Sequence, residues 1–333
     1  MTEFQAHRLS VAPMMDWTDR HCRRLHRSLS AHARLYTEML TAQAVIHGDR
    51  ARLLAGDPAD GPVALQLGGA DPAQVAEAAR IGAGFGYDEI NLNVGCPSDR
   101  VQSGRFGACL MREPELVAAC MAEVLAAVCV PATVKCRLGV DDQDPEAGLF
   151  RLVELCAAAG VTTFIVHARK AWLQGLSPKQ NRDVPPLDYG LVYRLKAERP
   201  DLTVVLNGGV GSLDEAQAHL AHVDGVMLGR AAYHEPGLLG LVDRRLFDPA
   251  APEVDGFEAV ARYRGHIARE RARGTSLHTL IKPMLGLFHG APGARAWRRI
   301  LTVESTARDA GLEVVDRALD ALRTAAERRL EPA

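Results

Sequence analysis

With 333 residues, 47% of them apolar and 24% charged, the chain can bury a sizeable core, which excludes a disordered or fibrous protein. Its 39 basic and 41 acidic residues leave a formal charge of −2, so net charge alone points to no polyanion partner. Seven cysteines with no Cys-x-x-Cys pair argue against zinc or a disulfide framework and suit a reducing, cytoplasmic setting.

The opening Met1-Thr2-Glu3-Phe4-Gln5 has no basic region ahead of an apolar run, so no secretory leader is read there. Short apolar runs then alternate with longer stretches of helical spacing. Strands are expected at Leu9–Pro13, Leu35–Met39, Val63–Leu67, Glu89–Asn93, Ala132–Cys136, Thr163–His167, Val204–Asn207 and Gly225–Leu228. Between them Asp71–Gly82, Pro114–Val128, Glu146–Ala159, Leu187–Glu198 and Leu213–Leu220 carry apolar residues at i, i+3 and i+4, as amphipathic helices do. Asp71-Pro72 and Glu113-Pro114 are good helix starts, with proline at the first helical position. Gly82-Ala83-Gly84-Phe85-Gly86 looks like a dinucleotide loop, but it follows a helix and precedes a strand, the reverse of the required order. It is expected to end a helix. The most apolar long stretch, Leu116–Val134, is broken by Glu123 and Pro131, and reads as a helix and a strand rather than a membrane span.

Eight strand–helix repeats predict an α/β fold, a (β/α)8 TIM barrel over residues 1–247. A doubly wound sheet would show the same alternation; the count of eight favours closure. After Pro249 the strand-like runs stop. Helices are expected at Phe257–Arg273, Leu277–His289, Ala294–Asp309 and Val314–Arg329, giving a helical domain over 253–333 behind a linker rich in Pro, Asp and Ala. This domain carries 14 basic and 11 acidic residues, and between Arg262 and Arg299 lie 9 basic residues against the single acidic Glu270. Such a run is usually a solvated helix face, but here it extends over neighbouring helices, as a surface for a polyanion does.

Barrel enzymes build their sites at the C-terminal ends of the strands. The polar and glycine-rich clusters Pro13-Met14-Met15-Asp16, Gln66-Leu67-Gly68-Gly69, Asn91 to Pro97, Lys135-Cys136-Arg137, His167-Ala168-Arg169, Asn207-Gly208-Gly209 and Leu228-Gly229-Arg230 all fall at such ends, which implies one site ringed by loops. Asn207, Gly208 and Gly209, with Gly229 and Arg230 on the next loop, suit a phosphate: glycines let backbone N–H groups approach it and the arginine adds charge. Lys135 stands between core-like neighbours, so it is either a nucleophile or a fixed cation beside an electron-rich ring. His167 leaves a buried run, where a histidine is more often a satisfied core residue. Cys96, alone among the cysteines, lies just past a strand end in a polar loop, open to acid–base work or to an inert buried role.

At these residues the chain resembles a known family. Asn91-Leu-Asn-Val-Gly-Cys-Pro-Ser98, followed by Val101 and Gly107-Ala-Cys-Leu-Met111, is similar to the active-site signature of tRNA-dihydrouridine synthases. Val11-Ala-Pro-Met-Met-Asp-Trp-Thr-Asp-Arg-His-Cys22 and Gly175-Leu-Ser-Pro-Lys-Gln-Asn-Arg-Asp-Val-Pro-Pro186 resemble the A subfamily. The resemblance runs from about Leu9 to the last helix. It implies an FMN-bearing barrel, NADPH as reductant, and a helical domain that helps hold tRNA. By the same resemblance Pro13, Met14, Met15, Gln66, Lys135 and His167 meet the flavin, and Asn207, Gly208, Gly209, Gly229 and Arg230 its phosphate. Cys96 is implied as the catalytic acid, and Asn93, Arg137 and Arg182 as contacts to the target uracil at about position 20 of the D-loop or its neighbour. Arg298 and Arg299 are expected on the tRNA backbone; no metal and no membrane is expected, and a monomer is the default. The rivals are an FMN barrel enzyme acting on a small pyrimidine or enone, and an RNA-binding protein on a degenerate barrel.

Overall fold

The computed structural model describes residues 6–98, 101–102 and 104–330, so the five residues read for a leader lie outside it. One all-parallel sheet is built from β1 (Leu9–Val11), β2 (Leu35–Tyr36), β3 (Leu40–Thr41), β4 (Val63–Gly68), β5 (Glu89–Val94), β6 (Ala132–Arg137), β7 (Thr163–His167), β8 (Thr203–Asn207) and β9 (Gly225–Leu228). Neighbours run in the order β1-β9-β8-β7-β6-β5-β4-β2, with β3 also on β4. Ser10 and Arg34 form a parallel bridge, with Val11 N donating to Arg34 O at 2.9 Å and Arg34 N to Leu9 O at 3.0 Å. The ends of the path thus meet, and the sheet is a nearly closed (β/α)8 barrel, as eight strand–helix repeats predict.

The strands lie within a residue or two of their expected bounds, except the second. Leu35–Met39 reads as one strand, but the ladder is interrupted after Tyr36. There the Thr37 hydroxyl accepts from Gln66 N at 3.0 Å and donates to Glu38 O at 2.7 Å, so a side chain takes the place of the backbone acceptor. Helices start at both expected Pro positions, Pro72 and Pro114; Asp71 caps its helix, Glu113 makes no side-chain cap, and Asp144, Asp188 and Ser212 each cap a further helix by accepting from a backbone N–H of its first turn. The glycine-rich run ends the helix Pro72–Gly84, with Gly86 at φ +86°. Gly82 serves packing instead: a Cβ there would come within 2.2 Å of Leu65 Cδ2 on β4.

Alternation along a strand puts Glu89, Asn91 and Asn93 on one face of β5 and Thr133, Lys135 and Arg137 on one face of β6. Tyr36, Ala64, Ile165, Val205 and Met227 form a buried apolar cluster with Ala12, against which Met14 packs. Beside it β5 and β6 supply a polar column. At its foot the fully buried Glu89 accepts from Arg34 Nη1 at 2.9 Å, Tyr36 Oη at 2.8 Å and Thr133 Oγ1 at 2.5 Å. Every lone pair so used offsets the cost of burying the carboxylate.

The chain divides into two compact units, Met1–Thr18 with Arg34–Gly229, and Asp19–Ala33 with Arg230–Ala333. The helix Arg20–Leu29 and the segment after Gly229 therefore belong with the helical unit, whereas chain order alone places both in the barrel. Asp243 explains part of this: it accepts from Ser30 Oγ at 2.5 Å and Ala31 N at 2.6 Å, pinning the end of that early helix. Helices Gly256–Ala272, Leu277–Ile281, Ala294–Glu304 and Leu312–Leu330 make up the rest. No helix among the described residues is long and apolar enough to cross a membrane.

Candidate active site

The polar column leads to the C-terminal mouth of the barrel. Above Glu89, Asn91 Nδ2 donates to Thr133 Oγ1 at 2.8 Å and Gln66 Nε2 donates to Asn91 Oδ1 at 2.8 Å. Asn93 Nδ2 then donates to Gln66 Oε1 at 2.9 Å. Each carboxamide is oriented by the one below it, so the network is a rigid support. The flips of these amides follow from the partners.

Asn93 Oδ1 accepts from both Gly95 N, at 3.0 Å, and Cys96 N, at 2.9 Å. A side chain folding back on the backbone two and three residues ahead fixes a tight turn, and this turn presents Cys96. Gly107, at φ +75°, passes so close that a Cβ would sit 2.6 Å from Cys96 O, and Ala108 N donates to that oxygen at 2.9 Å. Cys96 is half-buried, with Sγ 3.5 Å from Ser98 Oγ. Cys109 is half-buried as well and Cys129 is exposed; the other four differ in setting. Cys22, Cys120, Cys136 and Cys156 are buried, and burial pushes the Cys120 thiol up to about 11 and those of Cys136 and Cys156 up to about 12.

Arg137, on the same side of β6 as Lys135, is buried and ties the cysteine turn to the loop after β7. Its Nε donates to Gly95 O at 2.9 Å, and its Nη1 donates to Lys170 O and to Asn181 O, each at 3.0 Å. A guanidinium has five N–H groups. Among the described residues three of them are engaged, none of these on Nη2. Arg182, exposed, follows Asn181 directly.

Lys135 Nζ donates to Asn207 Oδ1 at 3.0 Å, and Asn207 Nδ2 donates to Met227 O at 2.8 Å. Burial, reinforced by the Arg137 guanidinium, brings the Lys135 ammonium down to about 8. His167 pairs in register with Arg137 on one side and Asn207 on the other. Burial, followed by the charges of Arg137 and Lys135, holds its imidazole well below the usual range, so the ring is neutral at physiological pH. Gly208, at φ +115°, lies against that ring: a Cβ would come within 2.7 Å of His167 Cδ2. Gly209 is at φ +74°, and at Gly229 a Cβ would meet nothing within 4 Å.

The structure thus joins Gln66, Asn93, Cys96, Lys135, Arg137, His167, Asn207 and Gly208 in one hydrogen-bonded or contacting set. Pro13 and Met14 are half-buried after β1 and Met15 is exposed. Arg230 heads the short helix Arg230–His234. Arg298 and Arg299 are exposed on the helix Ala294–Glu304. Within the basic run, Arg262 pairs with Glu258, Arg264 with Asp316 and Arg273 with Glu270, so much of its charge is balanced inside the helical unit. Among the described residues, no cluster of three His, Cys, Asp or Glu side chains is placed to hold a metal. Sequence reasoning missed Asn181 and Gln102. Asn181 is wholly buried although it sits in a polar loop, and Gln102 Nε2 donates to both Pro97 O and Leu173 O. No spacing signal marks either.

The model of the family "Dihydrouridine synthase (Dus)" matches residues 10–326. A tRNA-dihydrouridine(20/20a) synthase of Xanthomonas axonopodis pv. citri is 58% identical over 94% of this chain and 93% of its own length. Those of Yersinia pestis and Escherichia coli O6:H1 are 54% and 51% identical, over 95% and 96% of this chain and 92% and 96% of their own. Among solved structures, an old yellow enzyme homologue from Zymomonas mobilis superposes with a TM-score of 0.51 at 14% identity, over 76% of this chain and 91% of that one; it supports the barrel fold. A family match across nearly the whole chain, with the signature loop built around Cys96, is decisive: the chain belongs to the dihydrouridine synthase family.

Proposed function

We propose that the protein reduces uridine to 5,6-dihydrouridine in the D-loop of tRNA, at about positions 20 and 20a, with FMN as cofactor, NADPH as reductant and Cys96 as proton donor. The observation that carries this reading is the Cys96 turn, held by Asn93 and Arg137 at the barrel mouth, in a chain 58% identical to a tRNA-dihydrouridine(20/20a) synthase.

The residues present fit a flavin mononucleotide. Gly208, buried, and Gly209, exposed, both hold positive φ, Gly229 leaves open the volume a Cβ would take, and Arg230 follows with a positive charge. Lys135, fixed by Asn207, supplies a cation for an electron-rich ring, and Gln66, Pro13, Met14, Met15 and the neutral His167 would line it. Bound there, the reduced flavin supplies the hydride.

The protein's own residues do the rest. Turning a uracil out of its stack costs about a few kcal/mol, offset by contacts made in the pocket. Arg137 Nη2, Asn93 and Arg182 would orient the uracil edge. Cys96 holds a proton at Sγ and would deliver it to ring carbon 5, the other end of the double bond from carbon 6, which takes the hydride. A proton donor must act as a thiol, not a thiolate. Arg298 and Arg299 would bind phosphates of the tRNA backbone, which positions the RNA without reading its sequence. Cytoplasmic action follows from that substrate. Denaturation should release FMN; release of FAD, or a colourless preparation, contradicts the reading.

A further inference from the structure

Trp172 lies on the loop after β7 and is 43% exposed. A single exposed aromatic ring is ordinary on a protein surface, so exposure alone says little; what sets Trp172 apart is how it is held. Its backbone, by contrast, is clamped. Trp172 N donates to Asn181 Oδ1 at 2.7 Å, and Asn181 Nδ2 donates back to Trp172 O at 2.8 Å. Asn181 is itself wholly buried, and its carbonyl takes the Arg137 hydrogen bond. The indole is therefore an exposed ring on a rigid mount.

Its own loop is basic, and the neighbouring Asp141, which accepts from Leu173 N at 2.7 Å, is paired with Arg112. Residues 168–186 contain Arg169, Lys170, Lys179 and Arg182 against the single acidic Asp183. Lys170 Nζ stands 5.8 Å from the centre of the Trp172 ring and is anchored by donating to Gln143 O at 2.6 Å. Rings flanked by fixed cations are what unstacked bases and their phosphates bind. The loop that carries the ring is also tied to the loop that carries Cys96. Gln102 Nε2 donates to Pro97 O at 2.9 Å and to Leu173 O at 2.8 Å, so the residue after Cys96 and the residue after Trp172 hang on one nitrogen.

We propose that Trp172 is a stacking platform for an unpaired base of the tRNA, a neighbour of the base presented to Cys96. The inference rests on the tRNA-reducing function proposed above and adds a binding site to it. Base stacking on an aromatic ring tolerates any base, so the platform holds the displaced strand without reading it.

The test uses the flavin-loaded protein and its Trp172→Ala, Trp172→Leu and Trp172→Phe variants, with tRNA lacking dihydrouridine as substrate. Trp172→Ala and Trp172→Leu should raise the tRNA KM by about 5- to 150-fold, the range expected when one stack is removed, while Trp172→Phe stays within a few-fold of wild type. Flavin content and the NADPH KM should not move. Equal KM for the Leu and Phe variants would overturn the platform, since a mere apolar filler serves as well. A rise confined to the NADPH KM would overturn it too, by assigning the ring to the reductant. If wild type makes no dihydrouridine, the functional reading itself fails; if it does and the variants match it, only the platform fails.

Discussion

Lys135 and Asn207 meet past an intervening strand: Lys135 Nζ, on β6, donates to Asn207 Oδ1, on β8, at 3.0 Å, with β7 between them in the sheet. The link fixes an ammonium that burial brings down to about 8. Its charge is therefore lost as pH rises through about 8. We expect flavin reduction by NADPH to slow over that range in the wild type, and Lys135→Met to be slower throughout and to lack this limb. Superimposable pH profiles would contradict the role. Stability gives an independent sign. An unfolded lysine titrates near about 10.4, so between about 8 and 10.4 the unfolded chain binds the extra proton and this group's contribution to apoprotein stability rises with pH. Lys135→Met should flatten that rise in denaturant midpoints.

If the proposed phosphate cradle is right, glycines 208 and 229 should separate folding from cofactor binding. A Cβ at 208 would strike His167 at 2.7 Å and strain a φ of +115°, whereas at 229 it meets nothing within 4 Å. Gly208→Ala should lower the thermal midpoint of the flavin-free protein. Gly229→Ala should leave that midpoint unchanged yet lose FMN, because the added methyl occupies space the phosphate needs. Normal flavin retention in Gly229→Ala would refute the phosphate cradle.

The barrel was legible because each β strand is a short apolar run bounded by helix starts such as Asp71-Pro72, and the polar mouth because Asn93, Lys135, His167 and Asn207 interrupt those runs at their ends. The helix Arg20–Leu29 was not legible. Cys22, Leu25 and Leu29 carry its apolar spacing, but Arg20, His21, Arg23, Arg24, His26 and Arg27 hide it, and His21, Arg23 and His26 are themselves buried. Its partners in the helical unit, Asp243, His266 and Glu270, are all far away in sequence. Glu89 and Asn181 went unremarked for a related reason. A carboxylate opening a strand and an asparagine in a polar loop read as solvent-facing, and only their partners, Arg34, Tyr36 and Thr133 for one and the Trp172 backbone for the other, show them to be buried supports.

The helical unit should act on affinity alone. Arg298→Glu with Arg299→Glu should raise the tRNA KM more than it lowers kcat, with flavin content unchanged. The slope of log affinity against log salt should become shallower by about 0.7–0.9 for each phosphate that is no longer neutralised. A slope identical to wild type would mean that these exposed arginines merely solvate their helix.

Cys96 is the residue on which the proposed chemistry turns. tRNA lacking dihydrouridine, incubated with FMN-loaded protein and NADPH, should be digested and each D-loop fragment weighed by mass spectrometry. The wild type should add about two mass units at each of positions 20 and 20a, the two hydrogens of one hydride and one proton. Cys96→Ala should keep its flavin, still be reduced by NADPH and still bind tRNA, while forming dihydrouridine about 10²–10⁴-fold more slowly, the usual contribution of a general acid. No mass gain with wild-type protein, or a Cys96→Ala rate equal to wild type, would contradict it.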